Sequence, residues 1–465
     1  MFRRFNVKNF MSFSCNDKGL SEEFSMIPGK VRNMKEHIYD DSEIKLLKFA
    51  AIYGANASGK SNLIKAISCM KEILKKNSSK GYTDKYCRIG NDNRNKPSYF
   101  EVEIVLNKKM YSYGFEIVLN KSEFISEWLI ELKSNNEEEI IFERDIVKDK
   151  YEFCKSWFND KELSNRLEIY MEDAKTEETS LFLNIINDKK ESFYEKFPIT
   201  NILKEVYNWF FDNLVINEPN QPINGYNYFS SNEDMEKALQ IIKTFGTGIS
   251  KYKVVSIEVD DFLDKLPSML RKFVKNDIEN HMIMVSKIKK EDNKSKIKEL
   301  ITLKNNKELF FIKLHDEEIT CNVIKFYHSD SNSFDFGEES DGTQRLWDLL
   351  QVLLTEKNAT FFIDEIDRCM HPSLTYKFVK NFFELSTNKN IQLIVTTHES
   401  RLLDFELLRR DEIWFIDKNK EGQSDIYSLE DYNERFDRKI DKAYLEGRYG
   451  GVPVFTSLFP IEESE

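Results

Sequence analysis

The 465-residue chain lacks several features that would assign it to a special class of protein. It has no internal repeat, no low-complexity tract and no run of the about 18–20 apolar residues that span a bilayer. Its N-terminus, MFRRFNVKNF, lacks the apolar core of a signal peptide. The six cysteines form no close pair and no CxxC motif, which argues against a disulfide framework and a zinc site. We therefore expect a cytoplasmic protein with no membrane association.

Positive charge is also in deficit. Lys and Arg total 68 against 80 Asp and Glu, which gives a net charge of -12. This balance argues against nucleic-acid binding through bulk charge, although it leaves a local basic groove open. Core-forming residues are plentiful, since 40% of the chain is hydrophobic and it contains 36 phenylalanines and 20 tyrosines. The length predicts two or three structural units.

The first part of the chain, residues 1–144, shows mixed strand and helix patterns. We predict a half-buried strand over 2–10 and a continuous buried strand over 46–53. A helix is predicted over 61–74, and an antiparallel meander over 99–131.

The rest of the chain divides into two further parts. Helical periodicity dominates residues 145–309, which we interpret as a mainly helical insertion. In residues 310–465, helices predicted over 343–354 and 373–385 alternate with buried strands. Such alternation predicts a parallel sheet covered on both faces.

The segment from Gly54 to Ser61, GANASGKS, matches the pattern G-x-x-x-x-G-K-[ST]. Phosphates need several converging backbone N–H groups, and a glycine-rich turn at a helix N-terminus supplies them. Lys60 would reach the β- and γ-phosphates, and the Ser61 hydroxyl would ligate Mg²⁺. A predicted buried strand precedes the motif and an amphipathic helix follows it, as a phosphate-binding loop requires.

A second motif, TFFIDE, brings the adjacent carboxylates of Asp364 and Glu365 to the carboxyl end of an apolar strand, where ligands of α/β sheets bind. Asp364 is placed to hold Mg²⁺ through water, and Glu365 to polarise an attacking water. A strand that ends in two acidic residues is weak evidence alone, because such ends are often only solvated. Together with the phosphate loop it predicts a site for phosphate chemistry.

Two further segments are ambiguous when each is taken alone. His398 follows the strand IQLIVTT and is either a structural histidine or a γ-phosphate contact. Ser340 and Gly342 precede a helix and form either a plain N-cap or a second anion site. Because one phosphate loop is already present, a second phosphate-binding helix start suggests capture of a partner subunit's γ-phosphate.

The order of these four elements resembles that of ABC-type ATPases. GANASGKSN, ESDGTQR, FFIDEIDRCMHP and TTH resemble their Walker A, signature, Walker B with D-loop and switch-histidine elements. Asn62 and the long insertion are more similar to the SMC, RecF and OLD group than to membrane transporters. The phrases ESDGTQRLWDLL, DEIDRCMHPSLT, VTTHESRLLD, RRDEIWFIDK and YLEGRYGGVP resemble AAA-type ATPases of the RloA, AbiLi and AriA kind, which act in phage defence.

The resemblance implies a P-loop α/β fold of the ABC type, with a mixed sheet covered by helices, an antiparallel meander and a helical insertion. It implies ATP and Mg²⁺ as cofactors, with Glu365 as catalytic base and His398 and Lys60 at the γ-phosphate. Ser61 and Asp364 would hold the metal. The other nucleotide contacts that it implies are Gly54, Ala55, Asn56, Ala57, Ser58, Gly59 and Asn62, with Ser340 and Gly342 acting in trans and Asp367 spanning the dimer seam.

The chain departs from the ABC pattern in two places. Asp341 stands in the signature where ABC-type proteins usually carry glycine, and no Q-loop glutamine is evident between the P-loop helix and the insertion. The segment YLEGRYGGVP, residues 444–453, is either a docking loop or a packed turn.

The resemblance implies a sensor and scaffold in an antiviral, abortive-infection system. A homodimer or higher homo-oligomer, closed on ATP, would control a separately encoded nuclease effector of Toprim type, with a phage-encoded trigger. No acidic metal cluster like that of the OLD nucleases follows His398, so we expect the chain alone to cut no nucleic acid.

Two alternatives remain. A RecF-like DNA-binding repair ATPase would bind DNA in a salt-sensitive manner. The charged run KIKKEDNKSKIK at 287–298 is a candidate contact, although it fits a solvated surface better. An ATPase subunit of a transporter agrees poorly with the long insertion and the missing Q-loop glutamine.

Overall fold

The computed structural model describes most of the chain. The described residues are 1–14, 21–90, 92–135, 137–175, 177–219, 223, 232–288, 298–304, 308–315, 318–329, 332–432 and 440–451.

The strands, in chain order, are β1 Phe2–Lys8, β2 Glu22–Ser25, β3 Ile38–Asp40, β4 Lys45–Leu47, β5 Phe49–Tyr53, β6 Ser98–Leu106, β7 Lys109–Val118, β8 Glu123–Leu132, β9 Glu138–Asp145, β10 Lys150–Phe153, β11 Leu214–Asn217, β12 Lys251–Ile257, β13 Lys298–Lys304, β14 Leu309–His315, β15 Glu318–Tyr327, β16 Ser333–Asp335, β17 Ala359–Ile363, β18 Ile391–Thr396, β19 Ile413–Lys418 and β20 Ser424–Ser428.

The α-helices are α1 Lys60–Lys76, α2 Lys161–Lys175, α3 Phe182–Asn187, α4 Glu191–Lys196, α5 Asn201–Asp212, α6 Asn232–Thr244, α7 Val259–Asp264, α8 Ser268–Ile288, α9 Asp341–Leu354, α10 Pro372–Ser386 and α11 Ile440–Leu445. Among the described residues, no helix is both long enough and apolar enough to cross a membrane.

A six-stranded sheet forms the centre of the nucleotide-binding part. Its strand order is β11-β17-β18-β5-β19-β20, and every neighbouring pair is parallel except β19 with β20. All residues of β5, β17 and β18 are buried, as expected for strands covered on both faces. The predicted parallel sheet and the ABC-type P-loop fold are confirmed.

A second, seven-stranded sheet has the order β10-β9-β8-β7-β6-β1-β2 and is antiparallel throughout. It contains the predicted meander as β6, β7 and β8. Its apolar side chains share one core cluster with α1, which buries Leu63, Ile67 and Met70 among its core residues. The predicted helix over 61–74 is therefore confirmed, with one more residue at its start and two more at its end.

One buried glutamine joins the two sheets. Gln392, in β18, accepts a hydrogen bond from Phe2 N–H at 2.7 Å and donates to the carbonyl oxygens of Phe2 and Leu47 at 2.8 and 3.0 Å. The Thr360 hydroxyl donates to the same Gln392 carbonyl oxygen at 3.1 Å. Because buried polar atoms must be paired, these bonds fix the first strand of the chain against the central sheet.

The continuous strand predicted over 46–53 is wrong, because the chain breaks at Lys48. β4 pairs with β3 outside the central sheet, whereas β5 lies within it. The buried ammonium group of Lys48 donates to the carbonyl oxygens of Ser386 and Thr387 at 2.9 and 2.6 Å. Lys48 thus interrupts the strand, and its ammonium group binds carbonyl oxygens at the carboxyl end of α10.

The segment 145–309 is less uniformly helical than predicted. Its described residues form α2 to α8, as expected, but also the strands β10 to β13. β11 pairs in parallel with β17, so part of the predicted insertion completes the edge of the central sheet. β11 has only four residues, too few to stand out from the surrounding helical pattern. Most of the charged run at 287–298 lies outside the described residues.

Contacts divide the chain into two compact units. One comprises residues 1–219, 356–367 and 382–465, and the other comprises 220–355 and 368–381. In the second unit, β12, β15, β14 and β13 form an antiparallel sheet, with β16 paired to β15. Its core includes Phe262, Phe310 and Val323. The predicted domains, residues 1–144, 145–309 and 310–465, stay a prediction.

Candidate functional site

The carboxyl ends of three central strands lie side by side. β18 pairs with β17 on one side and with β5 on the other, and all three run in the same direction. The segments that follow them therefore leave the sheet at one edge: the P-loop after β5, the acidic pair after β17 and the histidine after β18. Such an edge is where open α/β sheets bind ligands.

The P-loop needs its glycines for steric reasons. A Cβ on Gly54 would lie 2.4 Å from both the Ile416 carbonyl oxygen and the Ser58 hydroxyl oxygen. Gly59 has a φ of +122°, and a Cβ there would lie 2.4 Å from the Ser424 hydroxyl oxygen. Side chains at either position would fill the space that the turn uses. Asn56 and Ala57 are exposed at the tip of the loop.

Lys60 begins α1 and lies under the loop. Its side chain is buried, and its ammonium group donates hydrogen bonds to the carbonyl oxygens of Gly54 and Ala55 at 2.8 and 3.1 Å. These bonds hold the positive charge beside the loop whose backbone would receive the phosphates. The lysine therefore lies where the phosphate-loop motif predicts it.

The carboxylates around Lys60 affect its pKa. Burial lowers the pKa of Lys60 to about 8, while the negative charges of Asp364, Asp367 and Glu365 act to raise it. Burial therefore outweighs the attraction of three nearby carboxylates. The ammonium group is held in a place where a further negative charge would stabilise it.

Thr396, which the sequence argument missed, ties the acidic pair to the neighbouring strand. Its buried hydroxyl donates to Asp364 Oδ1 at 2.5 Å and accepts from the Glu365 N–H at 2.8 Å. The Glu365 backbone has a φ of +50°, a left-handed conformation that is uncommon for a residue with a Cβ. Thr396 thus supports the turn that places the candidate base. The sequence shows it only as one of two threonines before His398.

Asp367 and His398 meet across the same edge. The His398 N–H donates to Asp367 Oδ2 at 3.3 Å, while Asp367 Oδ1 is buried and has no hydrogen-bond partner among the described residues. Desolvation and the charge of Lys60 lower the pKa of His398, against the opposing effect of Asp367 and the other carboxylates. The imidazole is therefore neutral at pH 7, with its side chain exposed at the site.

The start of α1 is braced by two serines that are distant in sequence. The Asn62 side-chain amide donates to the Ser12 hydroxyl at 2.8 Å, and the Ser424 hydroxyl donates to Ser12 at 2.7 Å. Ser12 and Asn62 also line a cavity of about 410 Å³, together with Met11 and Tyr86. Neither serine could be predicted from the sequence, because neither lies in a recognisable motif.

The signature residues lie in the second compact unit. Ser340 caps α9, and its hydroxyl accepts a hydrogen bond from the Thr343 N–H at 3.2 Å. Ser340 and Asp341 are exposed, whereas Gly342 is partly buried. A Cβ on Gly342 would lie 2.9 Å from the Cys369 carbonyl oxygen, which explains the glycine. The structure thus shows the N-cap, and a second anion site at this helix start stays a prediction.

The oxygen donors at the edge fit Mg²⁺. Asp364 supplies a buried carboxylate beside the P-loop lysine, and Ser61 supplies a hydroxyl at the start of α1. Mg²⁺ prefers oxygen ligands and is commonly held by one or two carboxylates plus phosphate oxygens and water. Within the described residues, no cluster of three or more His, Cys, Asp or Glu side chains is placed to hold a metal. Any Mg²⁺ here would therefore take further ligands from the phosphates and from water.

Two segments of the sequence match a known domain family. The family described as "AAA domain, putative AbiEii toxin, Type IV TA system" matches residues 49–153 and 249–404, more than half of the chain. The chain belongs to this AAA domain family. The matched residues of the AAA domain contain the P-loop, the Ser340 segment, the acidic pair and His398. Domains of this kind are nucleotide-binding ATPase domains, in agreement with the ABC-type fold.

Several solved structures are similar to this chain over most of its length. They include an SMC head bound to the C-winged helix domain of ScpA (14% identity, 92% of this chain and 97% of that chain, TM-score 0.42). The SMC head domain from Thermotoga maritima has 12% identity, coverages of 92% and 98%, and a TM-score of 0.36. A Smc head with an extended coiled coil, bound to the C-terminal domain of ScpA and derived from Pyrococcus furiosus, has 15% identity, coverages of 96% and 99%, and a TM-score of 0.39. Among curated proteins, none matches this chain.

The lowered pKa of Lys60 predicts that ATP binding weakens as the pH rises. Above pH 8 the free site loses the lysine charge, whereas bound phosphate stabilises the charged form, so binding takes up a proton. The dissociation constant for ATP should rise about 10-fold between pH 7 and pH 9 in a calorimetric titration.

The matched control for this titration is Lys60→Arg, which keeps its charge throughout this range. Its affinity, although lower, should not change with pH. His398 stays neutral across the range and adds no slope, because its pKa is lowered. A wild-type affinity that is equally flat would contradict a lysine that titrates near pH 8.

Proposed function

We propose that the chain binds and hydrolyses ATP at the carboxyl edge of its central sheet. The observation that carries this proposal is the buried ammonium group of Lys60, which donates to the P-loop carbonyl oxygens and lies near three carboxylates. Phosphates would supply the negative charge that outcompetes the carbonyl oxygens of Gly54 and Ala55 for the lysine. Ser61 and Asp364 would hold Mg²⁺, which supplies further positive charge to the phosphates.

The residues around the P-loop support a role for each in hydrolysis. Glu365, fixed by Thr396, would accept a proton from the attacking water. His398, neutral in the free site, would donate a hydrogen bond to the γ-phosphate. Charge that develops on the transferred phosphoryl group would then be met by Lys60 and by donors already in place. Asp367 orients the backbone at His398 through its hydrogen bond to the N–H.

We further propose that two copies close on the nucleotide, with Ser340 of one subunit facing Lys60 of the other. Ser340 lies at the N-terminus of a 14-residue helix and is exposed, so its positive helix end is open to a partner's anion. Asp341 is exposed beside it and would repel the phosphates. We therefore expect slow hydrolysis and a weak hold in trans.

The biological role that we propose is that of a sensor and scaffold in antiviral defence. The family description names a Type IV TA system, which supports a function in a toxin–antitoxin system. The RloA, AbiLi and AriA resemblance points to a separately encoded Toprim-type nuclease as effector and to a phage-encoded trigger. ATP would hold the homo-oligomer in the state that keeps the effector inactive, in the cytoplasm.

Replacing the candidate base should separate binding from hydrolysis. Glu365→Gln should retain ATP affinity and lose about 10²- to 10⁴-fold in turnover. Because ATP is then not consumed, the variant should accumulate as a dimer in light scattering with ATP and Mg²⁺. Lys60→Ala should bind no ATP and stay monomeric.

The matched control is Glu384→Gln, the same chemical change on the exposed side of α10, which should behave as the wild type. If Glu365→Gln binds ATP and remains a monomer, closure of two copies on the nucleotide is ruled out.

Nucleic-acid assays separate the sensor role from the DNA-repair alternative. The purified chain should cleave neither DNA nor RNA with ATP and Mg²⁺ present, and it should show little DNA affinity in filter binding at 50 and 200 mM salt. A RecF-like ATPase that makes about 6–10 phosphate contacts would instead bind at low salt and lose about 10³- to 10⁵-fold in affinity at the higher concentration. Cleavage by the chain alone would contradict the separate effector.

A further inference from the structure

The segment after α11 folds into a tight turn that follows the helix directly. Gly447, Gly450 and Gly451 all have positive φ angles, of 78°, 66° and 67°. The Tyr444 hydroxyl donates to the Gly451 carbonyl oxygen at 3.0 Å, which closes the turn. We call residues 444–451, which include the last two residues of α11, the C-terminal turn.

The C-terminal turn packs directly on the P-loop. A Cβ on Gly451 would lie 3.2 Å from Gly54 Cα and 3.7 Å from Gly54 N. Both glycines are buried, so the two backbones touch with no side chain between them. The Ile416 carbonyl oxygen also lies close to Gly54, 2.4 Å from where a Cβ would be. The first glycine of the P-loop is therefore in close contact with both Ile416 and Gly451.

Tyr444 reinforces this contact. Its buried ring lies against Tyr53, with ring centroids 5.5 Å apart, and against Phe415 at 5.8 Å. Burial raises the pKa of Tyr444 to about 12, and a hydrogen bond from the Gly54 backbone partly opposes that rise. The Tyr444 hydroxyl thus holds the Gly451 backbone, which in turn lies against Gly54.

The turn is itself held by the sheet. Tyr449 stacks on Phe415 with ring centroids 5.6 Å apart, and the Tyr427 hydroxyl donates to the Tyr449 carbonyl oxygen at 2.6 Å. Arg448, by contrast, is exposed and pairs with Glu446 at 3.0 Å. Of the two interpretations left open by the sequence, the packed turn is the one observed over residues 444–451, and residues 452 and 453 lie outside the described residues.

We propose that Tyr444 and Gly451 are positioning residues for the P-loop. They fix Gly54, and with it one of the two carbonyl oxygens that hold Lys60, and they carry no charge of their own to offer a phosphate. A loop held in its binding conformation loses less freedom when it closes on phosphates, which raises affinity. This inference rests on the proposed binding of ATP at the P-loop.

Removing one hydroxyl tests the proposal. Tyr444→Phe keeps the packed ring and loses the hydrogen bond to the Gly451 carbonyl oxygen. ATP affinity, measured by calorimetry, should fall about 3- to 10-fold, the range expected for one lost hydrogen bond. Turnover at saturating ATP should stay within about twofold of the wild type, because Glu365 and Thr396 are untouched. Amide hydrogen exchange in the peptide containing Gly54 should become faster.

A matched control removes a comparable bond elsewhere. Tyr194→Phe loses a buried hydroxyl that donates to Asn187 Oδ1 at 2.9 Å, and it should leave ATP affinity unchanged. Equal losses of affinity in the two variants would mean that general destabilisation, and not P-loop positioning, is measured.

A second variant adds bulk in place of removing a bond. Gly451→Ala places a methyl group against Gly54 and should weaken ATP binding by about 10-fold or more. Its control is Gly246→Ala, which has a similar φ of +70° but nothing within 4 Å of the added Cβ, so that backbone strain is matched. The two variants together keep the test valid if one of them fails to fold.

The outcomes separate this inference from the proposed function. If the wild-type chain binds no ATP, the proposed function fails. If the wild type binds ATP, Lys60→Ala does not, and Tyr444→Phe and Gly451→Ala bind as tightly as the wild type, the positioning role alone is contradicted.

Discussion

The candidate site depends on one electrostatic constraint, the burial of a single ammonium group at the end of a parallel sheet. Burial of Lys60 costs enough to lower its pKa to about 8, and the chain offsets part of that cost with Asp364, Asp367 and Glu365. Those carboxylates reach the lysine only because β17, β18 and β5 are neighbours that end at one edge. The sheet order is therefore what makes the charge arrangement possible.

The motifs could be predicted from the sequence because each is local. A buried strand, a turn and a helix in succession identified the P-loop, and a strand ending in Asp364 and Glu365 identified the acidic pair. The supports of these motifs could not be predicted. Thr396 is 31 residues from Glu365, and Ser12 and Ser424 are 412 residues apart, so no spacing rule connects them. The break at Lys48 and the short edge strand β11 also depend on distant partners.

Distant supports explain how a flexible glycine loop keeps its shape. The start of α1 is braced by Ser12 and Ser424, while Gly54 at the other end is covered by Gly451 of the C-terminal turn. Glycines permit the tight loop, but they do not by themselves select it. Residues near both ends of the described chain therefore contact the loop or the start of its helix. If the loop binds nucleotide as proposed, the segment after β20 supports that site.

In the proposed dimer a second copy completes the nucleotide site, and a mixture of two inactive variants would show whether it does. Lys60→Ala removes the P-loop charge, and Ser340→Arg blocks the exposed cap. Each variant alone should hydrolyse ATP at background rate. An equal mixture should recover about a quarter of the wild-type rate, since about half of the dimers are mixed and each has one intact composite site. A mixture that stays at background, or wild-type hydrolysis by Ser340→Arg alone, would contradict the claim.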